Sequence, residues 1–269
     1  MIIIGEKLNA SNKSVGQAIL TRDSEFVANL TRAQAEAGAD FIDVNSGMGR
    51  SGQDQEKTAM EWLVETVQAA TDKPIAIDSD APEVIEAALR KYRGDRLIIN
   101  SVTAEPVKLA SIGALVAERQ AWVIALAMGN EGIPDKVEKR LDACELIMTH
   151  LTRLGITAEQ VLFDPLVLPI SVDSNQGLVT LKTLEQIKSR YPGARTVMGL
   201  SNISYGLPNR KLINRAFLLM AAYAGLDAVI LDPLDAKMVS LVKVADMLSG
   251  RDPLCKKYIR AHRKGTIVD

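Results

Sequence analysis

The chain has 269 residues, near the typical size of one (β/α)₈ barrel, and we expect a single domain over residues 1–269. Its formal net charge of −1 argues against a nucleic-acid or anionic-membrane partner, because both require a concentrated basic surface. No window approaches the roughly 20 apolar residues of a spanning helix, and the start MIIIGEKLNA does not match a signal peptide. Two scattered cysteines exclude a disulfide framework or a zinc site, so a reducing cytoplasm is expected.

Short apolar runs alternate with helical patterns along the whole chain. The predicted strands, some written with the loop that follows, lie at residues 2–4, 40–47, 74–80, 96–101, 122–128, 161–166, 196–200 and 227–234. The predicted helices lie at residues 24–37, 55–70, 81–90, 105–119, 136–154, 181–190, 210–224 and 236–248. Polar loops are expected at residues 6–14 and 169–177.

The strands are continuous apolar runs, as expected for parallel strands that are buried on both faces. Eight strand–helix pairs in a chain of this length predict an α/β fold, a parallel (β/α)₈ TIM barrel. The alternative is a doubly wound open sheet. That fold usually carries a G-x-G-x-x-G fingerprint after an early strand. One stretch has that spacing, GMGRSG at residues 47–52, but eight strand–helix units in this length favour closure into a barrel.

Polar side chains stand where the predicted strands end, and a barrel would bring them together in one bowl at its C-terminal face. They are Glu6, Asn9, Asp43, Asn45, Asp78, Ser79, Asn100, Ser101, Asp164, Ser201, Asn202 and Asp232, with Met128 among them. Asp accepts hydrogen bonds and Asn both donates and accepts, so the set suits a planar heterocycle with N–H groups and ring acceptors. A phosphate ligand would instead require Arg, Lys or a Gly-rich helix start. Three converging carboxylates would also suit a divalent cation.

Each of these residues also has a structural interpretation. Asp78 could cap the helix that begins at Pro82, and Asp164 could form an Asx turn ahead of Pro165. Asp232 is expected to be a turn and cap residue, and Met128 a core or wall residue.

The sequence gives little support for nucleophilic catalysis, because no Cys or His lies at the end of a predicted strand. The pattern places Cys144 and His150 on a helix, and Cys255 and His262 in the C-terminal tail.

Nine stretches together resemble the pterin-binding family of (β/α)₈ barrels, and most of all the methyltetrahydrofolate:corrinoid methyltransferases of the corrinoid/iron–sulfur protein type. They are IIIGEKLNA, ADFIDVNSG, AMEWLVETVQ, PIAIDSD, LIINSVTAE, ALAMGNEGIP, LFDPLVLP, MGLSNISYGLPNRKLINR and GLDAVILD. The resemblance implies transfer of a methyl group, in either direction, between N5 of tetrahydrofolate (as 5-methyltetrahydrofolate) and the cobalt of a corrinoid. The chain lacks the Asp-x-His-x-x-Gly cobalamin signature, so cobalamin is expected on a partner corrinoid protein. Homodimers and no metal bound by the chain itself are further expectations.

The resemblance also implies roles for individual residues. Asp78, Asn100 and Asp164 match the family's pterin-binding positions, and Asn202 matches the Asn beside N5 and is the expected catalytic residue. Gly199 would permit close approach of the ring.

Other matched positions concern the rest of the ligand and the surroundings of the ring. Ser201 belongs to the same substrate-binding motif, and Tyr205 and Arg210 lie where the loop meets the benzoyl-glutamate tail. Tyr205 departs from the smaller polar residue usual in the family. The expected supporting residues are Asn9, Asp43, Asn45 and Met128, with Asp43 and Asn9 placed behind Asn202.

Three alternatives remain open. Dihydropteroate synthases resemble this chain, but they use a Lys on the seventh strand and a Ser-x-Arg motif on the eighth, and neither is present here. A folate-binding barrel without turnover would keep the ring-binding residues and could discard Asn202. A metal-dependent lyase or aldolase barrel would lose activity with a chelator.

Overall fold

The computed structural model describes residues 1–47 and 52–268, and its strands close into a parallel barrel in the order β1 to β8. The strands are β1 Ile2–Asn9, β2 Phe41–Asn45, β3 Ile75–Asp78, β4 Leu97–Val102, β5 Trp122–Leu126, β6 Val161–Asp164, β7 Arg195–Gly199 and β8 Ala228–Leu231. The helices of the described ranges are α1 Lys13–Thr21, α2 Ser24–Glu36, α3 Gln53–Ala70, α4 Pro82–Lys91, α5 Pro106–Arg119, α6 Val137–Arg153, α7 Gln176–Arg190, α8 Arg210–Tyr223, α9 Ala236–Leu248 and α10 Lys256–Arg263. The predicted (β/α)₈ barrel is confirmed, and the open sheet is wrong.

The prediction of a polar loop at residues 6–14 was wrong. Strand β1 continues to Asn9, because Leu8 pairs with Val44 and Asn9 with Asn45 beyond an irregularity in the register. Helix α1 then begins after the capping residue Asn12, whose side chain accepts from the Ser14 amide. The strand was not predicted because several of its residues are polar. Residues that face the end of a barrel interior do not need to be apolar.

Two further elements differ from the prediction. Helix α7 begins at Gln176 rather than near residue 181, because its first turn buries the polar side chains of Gln176 and Thr180. The C-terminal tail contains the helix α10, which carries His262, and Cys255 immediately precedes it. Cys144 and His150 lie on α6 as predicted. No helix among the described residues is long and apolar enough to cross a membrane.

Alternate residues along each strand face the barrel interior, and they form layers. One buried apolar layer consists of Ile4, Phe41, Ala76, Ile98, Ile124, Leu162, Val197 and Ala228. Two residues further along their strands stand Glu6, Asp43, Asp78, Asn100, Leu126, Asp164, Gly199 and Ile230. Since side chains alternate with a period of two, this next layer faces the same interior, at its C-terminal end. The polar strand-end residues are thus turned inward by the same alternation that builds the core.

Aromatic rings and guanidinium groups close the opposite end of the barrel. The Arg96 guanidinium lies 5.4 Å from the ring centre of Phe41 and 5.6 Å from that of Trp122. Arg195 lies 4.3 Å from the Trp122 ring centre. These cation–π contacts cover the apolar layer from below and leave the bowl as the polar end of the interior.

The apolar layer predicts a large cost for truncating Ile98, which is fully buried. Ile98→Ala should lower the free energy of unfolding by about 2–5 kcal/mol through lost burial and the cavity left behind. Urea unfolding followed by circular dichroism measures this. Val107→Ala, at a position 76% exposed on α5, serves as control and should stay within about 0.5 kcal/mol. An equally small effect of Ile98→Ala would contradict the described interior.

Candidate functional site

Strands β2, β3 and β4 bring two carboxylate–amide pairs together at the bowl. The Nδ2 atom of Asn45 donates to Oδ2 of Asp78 over 2.9 Å. The Nδ2 atom of Asn100 donates to Oδ1 of Asp43 over 3.1 Å. Asp78 and Asn100 are also register partners on adjacent strands. Asp43 and Asn45, predicted as supporting residues, therefore orient the two predicted ring-binding residues directly.

Burial controls the charge of this cluster. It raises the pKa of Asp43 well above its usual range, and the nearby charge of Asp78 raises that pKa further, against the lowering effect of the Asn100 hydrogen bond. Burial also raises the pKa of Asp78, while the hydrogen bond from Asn45 lowers it. Ionised carboxylates here lack the water that would normally solvate them. A ligand with N–H donors would supply the missing hydrogen bonds.

Asp164 ends β6 and is buried with 8% of its surface exposed. Its Oδ1 accepts from the Leu166 amide over 2.8 Å, so the Asx turn considered from the sequence is present. Burial raises the pKa of Asp164 to about 7, although the Leu166 amide and the charge of Arg140 lower it in part. The turn engages one oxygen and fixes the direction of the carboxyl group, which is compatible with a binding role for the other oxygen.

Asn202 and Ser201 lie in a 3₁₀ turn, Leu200–Ser204, that follows β7. The exposed Asn202 side chain donates from Nδ2 to the Val167 carbonyl oxygen over 3.0 Å. A Cβ atom placed on Gly199 would meet no atom within 4 Å. The space in front of the end of β7 is therefore open, as close approach of a ring requires.

The predicted support of Asn202 by Asp43 and Asn9 does not match the hydrogen bonds observed. The Asn9 carbonyl Oδ1 accepts from the amide of Ser11 over 2.9 Å and closes its own turn. Asp43 is engaged by Asn100 instead. The reason is topological, since Asp43 faces β4 in the interior whereas Asn202 is carried outward by its turn toward the β6–α7 loop.

Tyr205 and Arg210 lie together at the rim. The Arg210 side chain donates from Nε to Ser204 Oγ over 3.1 Å and from Nη2 to the Ser201 carbonyl over 2.6 Å. Its guanidinium stands 5.9 Å from the centre of the Tyr205 ring, which is 62% exposed. Arg210 thus holds the 3₁₀ turn in shape, and Tyr205 presents an accessible aromatic surface beside it.

Three strand-end predictions concern structural roles. Asp232 forms the expected turn by accepting from the Leu234 amide, and it also pairs with Lys7 at 3.2 Å. Its predicted capping role is wrong, because Asp235 caps α9. Helix α4 has no side-chain cap, so the capping role considered for Asp78 is likewise wrong. Met128 lines the loop after β5, and its carbonyl oxygen accepts from the Ala104 amide over 2.8 Å.

Arg140 on α6 is the important residue that the sequence analysis missed. It is completely buried, and its guanidinium donates to the Pro165 and Leu166 carbonyl oxygens directly after Asp164. One signal was present in the sequence: Arg140 lies on the same helical stripe as the buried Cys144 and Ile147. A cation on an apolar stripe needs buried partners.

Within residues 1–47 and 52–268, no three or more His, Cys, Asp or Glu side chains are arranged to hold a metal ion.

The raised pKa of Asp164 predicts how stability depends on pH. Because the folded protein binds the proton more tightly than the unfolded chain, stability should fall as pH rises from about 4 to about 7. At roughly 1.4 kcal/mol per pKa unit, this group contributes at most about 4 kcal/mol across that window. Asp164→Asn keeps an acceptor for Leu166 and should remove this contribution. Urea unfolding at several pH values measures it, with Asp72→Asn at an exposed position as control. Parallel curves for Asp164→Asn and the wild type would contradict the prediction.

The chain is similar to known proteins in sequence and in fold. The pterin binding enzyme family matches residues 5–232. The methylcorrinoid:tetrahydrofolate methyltransferase of Eubacterium limosum is 35% identical over 269 residues, which cover 99% of this chain and 98% of that protein.

Two further relatives share less with it. The methionine synthase of Mycobacterium tuberculosis is 30% identical over 244 residues, 86% of this chain but only 20% of that longer protein. The dihydropteroate synthase of Xanthomonas albilineans, solved with 7,8-dihydropteroate, has the same fold, with a TM-score of 0.69 at 20% identity over 92% of each chain. The family match across most of the chain and the identity to a full-length relative lead to one conclusion: the chain belongs to the pterin-binding enzymes, in the group of methyltetrahydrofolate:corrinoid methyltransferases.

Proposed function

We propose that the protein transfers a methyl group between N5 of tetrahydrofolate and the cobalt of a corrinoid carried by a partner protein, in either direction. The observation that carries the proposal is that Asp78, Asn100 and Asp164 share one inward layer at the C-terminal end of the barrel, in a chain 35% identical to a methylcorrinoid:tetrahydrofolate methyltransferase. The decisive experiment is methyl exchange between methylcobalamin and tetrahydrofolate catalysed by the purified protein.

The bowl suits the pterin ring in its chemistry. The ring carries N–H donors along one edge, and Asp78 on β3 and Asp164 on β6 offer carboxylate acceptors from strands three positions apart around the barrel. The Nδ2 atom of Asn100 donates to Asp43, so its Oδ1 atom is the group proposed to accept a hydrogen bond from the ring. A carboxylate–N–H bond in a buried site contributes about 1.5–3 kcal/mol. The open space beside Gly199 leaves room for the ring to lie against β7.

Asn202 is proposed to act at N5. A tertiary amine leaves poorly, so charge on N5 must be stabilised as the methyl group moves. A primary amide carries two N–H donors, and one of those on Asn202 is engaged by Val167. The second is proposed to donate to N5 and to strengthen as charge changes there. The corrinoid, when it docks over the bowl, supplies the cobalt centre that gives or takes the methyl group.

Two alternatives are disfavoured by specific residues. Strand β7 has the sequence RTVMG and contains no Lys, whereas a dihydropteroate synthase uses a Lys on this strand. A folate-binding barrel without turnover has no need of an amide at Asn202. Both cysteines are free thiols, which agrees with the proposed reducing cytoplasm. Burial raises the pKa of Cys144 to about 12, which argues against this thiol as a nucleophile.

Two substitutions should give opposite kinetic signatures. Asn202→Ala should lower the methyl-transfer rate about 10²-fold with little change in folate affinity, because the proposed bond matters mainly in the transition state. Asp164→Ala should weaken folate binding roughly 10- to 150-fold, because it removes a charged acceptor from the ground state as well. Isothermal titration with 5-methyltetrahydrofolate and the exchange assay measure the two quantities.

The control for both is Asn29→Ala on the exposed face of α2, which should change neither quantity. Melting temperatures exclude unfolding as the cause. A stable Asn202→Ala protein with normal methyl transfer would end the proposed mechanism, and unchanged binding by Asp164→Ala would remove Asp164 from the site.

A homodimer is also proposed, and one surface supports it. Helices α7 and α8 border an apolar groove of about 390 Å³. Leu212 and Met220 line it while being 62% and 50% exposed, and Tyr223 nearby is 88% exposed. Apolar side chains grouped in this way are typical of protein interfaces. Its lining also includes Ile170 and Ser174 of the β6–α7 loop and Ile203 of the 3₁₀ turn.

Charge placed in the groove should break the dimer. Leu212→Glu with Met220→Lys should yield a monomer at micromolar concentration by light scattering, because burying either charge in an apolar interface is costly. The control is Lys237→Glu, which changes the charge at an exposed position on α9 outside the groove. A monomeric wild-type protein would refute the proposed assembly.

A further inference from the structure

We infer that Arg140 is a positioning residue that sets the ring-binding carboxyl of Asp164 and the amide of Asn202 in their relative places. It does so by holding the β6–α7 loop, residues 165–175, in place. Both side chains are hydrogen-bonded to the main chain of this loop. The inference rests on the proposed function, since it assigns Arg140 a part in folate binding and methyl transfer.

Arg140 joins three parts of the fold through one guanidinium. Nε of Arg140 donates to the Pro134 carbonyl oxygen over 2.8 Å, in the loop before α6. Nη1 donates to the Pro165 and Leu166 carbonyl oxygens, both over 2.8 Å. Nη2 donates to Oε1 of Gln176 over 3.1 Å, at the start of α7. The Arg140 side chain is completely buried, and its bonds to Pro165 and Gln176 are made away from water.

The first consequence concerns Asp164. Its carboxyl is oriented by the Leu166 amide over 2.8 Å, and Leu166 has a left-handed backbone with φ of 65°. A leucine adopts that conformation only at an energetic cost, because its Cβ approaches the carbonyl oxygen closely there. It is held there because the Leu166 carbonyl accepts from both Arg140 and Thr180 Oγ1, the latter over 2.9 Å. Arg140 therefore stabilises the strained residue on which the direction of Asp164 depends.

The second consequence concerns Asn202. The residue after Leu166 is Val167, whose carbonyl oxygen accepts from Asn202 Nδ2 over 3.0 Å. Further along the same loop, the Ile170 amide donates to the Ile203 carbonyl over 3.1 Å, and Ser171 Oγ donates to the Tyr205 carbonyl over 2.6 Å. These bonds attach the 3₁₀ turn to the loop. A shift of the loop would move Asp164 and Asn202 together.

An arginine is suited to this position for a geometric reason. Its planar fork reaches several carbonyl oxygens at fixed angles, whereas a lysine offers one compact ammonium group. Burial lowers the pKa of Arg140 to about 10, so the guanidinium remains charged at neutral pH. Arg140→Lys can keep the charge while losing part of the fork, which makes it the conservative variant for a test.

A buried arginine that only stabilised the fold would affect all ligand contacts alike, so the test is a pair of double-mutant cycles. Arg140→Lys is combined with Asp164→Asn in one cycle and with Asp78→Asn in the other. Asp78 lies on β3, and its described hydrogen-bond partner, Asn45, is not shared with Arg140. Folate affinity is measured by titration with 5-methyltetrahydrofolate and kcat by the exchange assay. Lys139→Met, at an exposed position on the same helix, is the matched control.

The expected result is a loss of about tenfold or more in both affinity and kcat for Arg140→Lys, with Lys139→Met unchanged. The effect on affinity should be less than multiplicative with Asp164→Asn and multiplicative with Asp78→Asn, because only the first pair is coupled. A folded Arg140→Lys protein with wild-type affinity and kcat would overturn the inference. So would equal coupling to Asp78 and Asp164.

Two provisions keep the test decisive. If Arg140→Lys does not fold, Thr180→Val removes one of the two donors to Leu166 and enters the same cycles with the same expectations. If the wild-type protein neither binds the folate nor exchanges methyl groups, the proposed function itself fails. An active wild-type protein with uncoupled Arg140 and Asp164 leaves the proposed function standing and removes only the positioning role.

Discussion

The chemistry of the bowl depends on carboxyl groups that face the inside of a closed barrel. Asp43, Asp78 and Asp164 occupy the inward layer directly beyond the apolar one, where burial raises the pKa of each. Such groups need partners, and the protein provides them unevenly. Asn45 and Asn100 serve two of the carboxyls, and a backbone amide serves the third. The proposed pterin ring would donate to the carboxyl oxygens that still lack partners. Because a buried carboxylate without donors is unfavourable, the site should select ligands that carry N–H groups.

The two sides of the bowl are built differently. On β2, β3 and β4 the polar side chains hold one another from rigid strands, with Asp78 and Asn100 in register. On β6 and β7 the holding groups are backbone atoms of a loop and a short 3₁₀ turn. That side depends on Arg140, buried behind the loop. A site assembled in this way can keep the ring side fixed while the side proposed to act at N5 is set by a loop.

For Asn202, the sequence indicates the chemical role of the side chain, whereas only the structure shows which groups hold it in place. Its amide is the group that the resemblance associates with N5, and the structure shows it bonded to Val167. The expected support from Asp43 and Asn9 is replaced by the loop after β6. The proposed catalytic amide is thus connected to the ring-binding Asp164 through three intervening residues of main chain, which explains why one buried guanidinium can influence both.

Much of this protein is determined by sequence pattern alone. Continuous apolar runs at regular spacing predicted eight parallel strands, each beginning within one residue of its observed start, because burial on both faces leaves no other composition for such strands. The inward direction of Asp78, Asn100 and Asp164 follows from the same alternation. Tertiary structure decided the rest. The strand beyond Gly5 depends on pairing with β2, and the early start of α7 and the role of Arg140 involve polar side chains that are buried because distant segments supply their partners. Local periodicity carries no record of those partners.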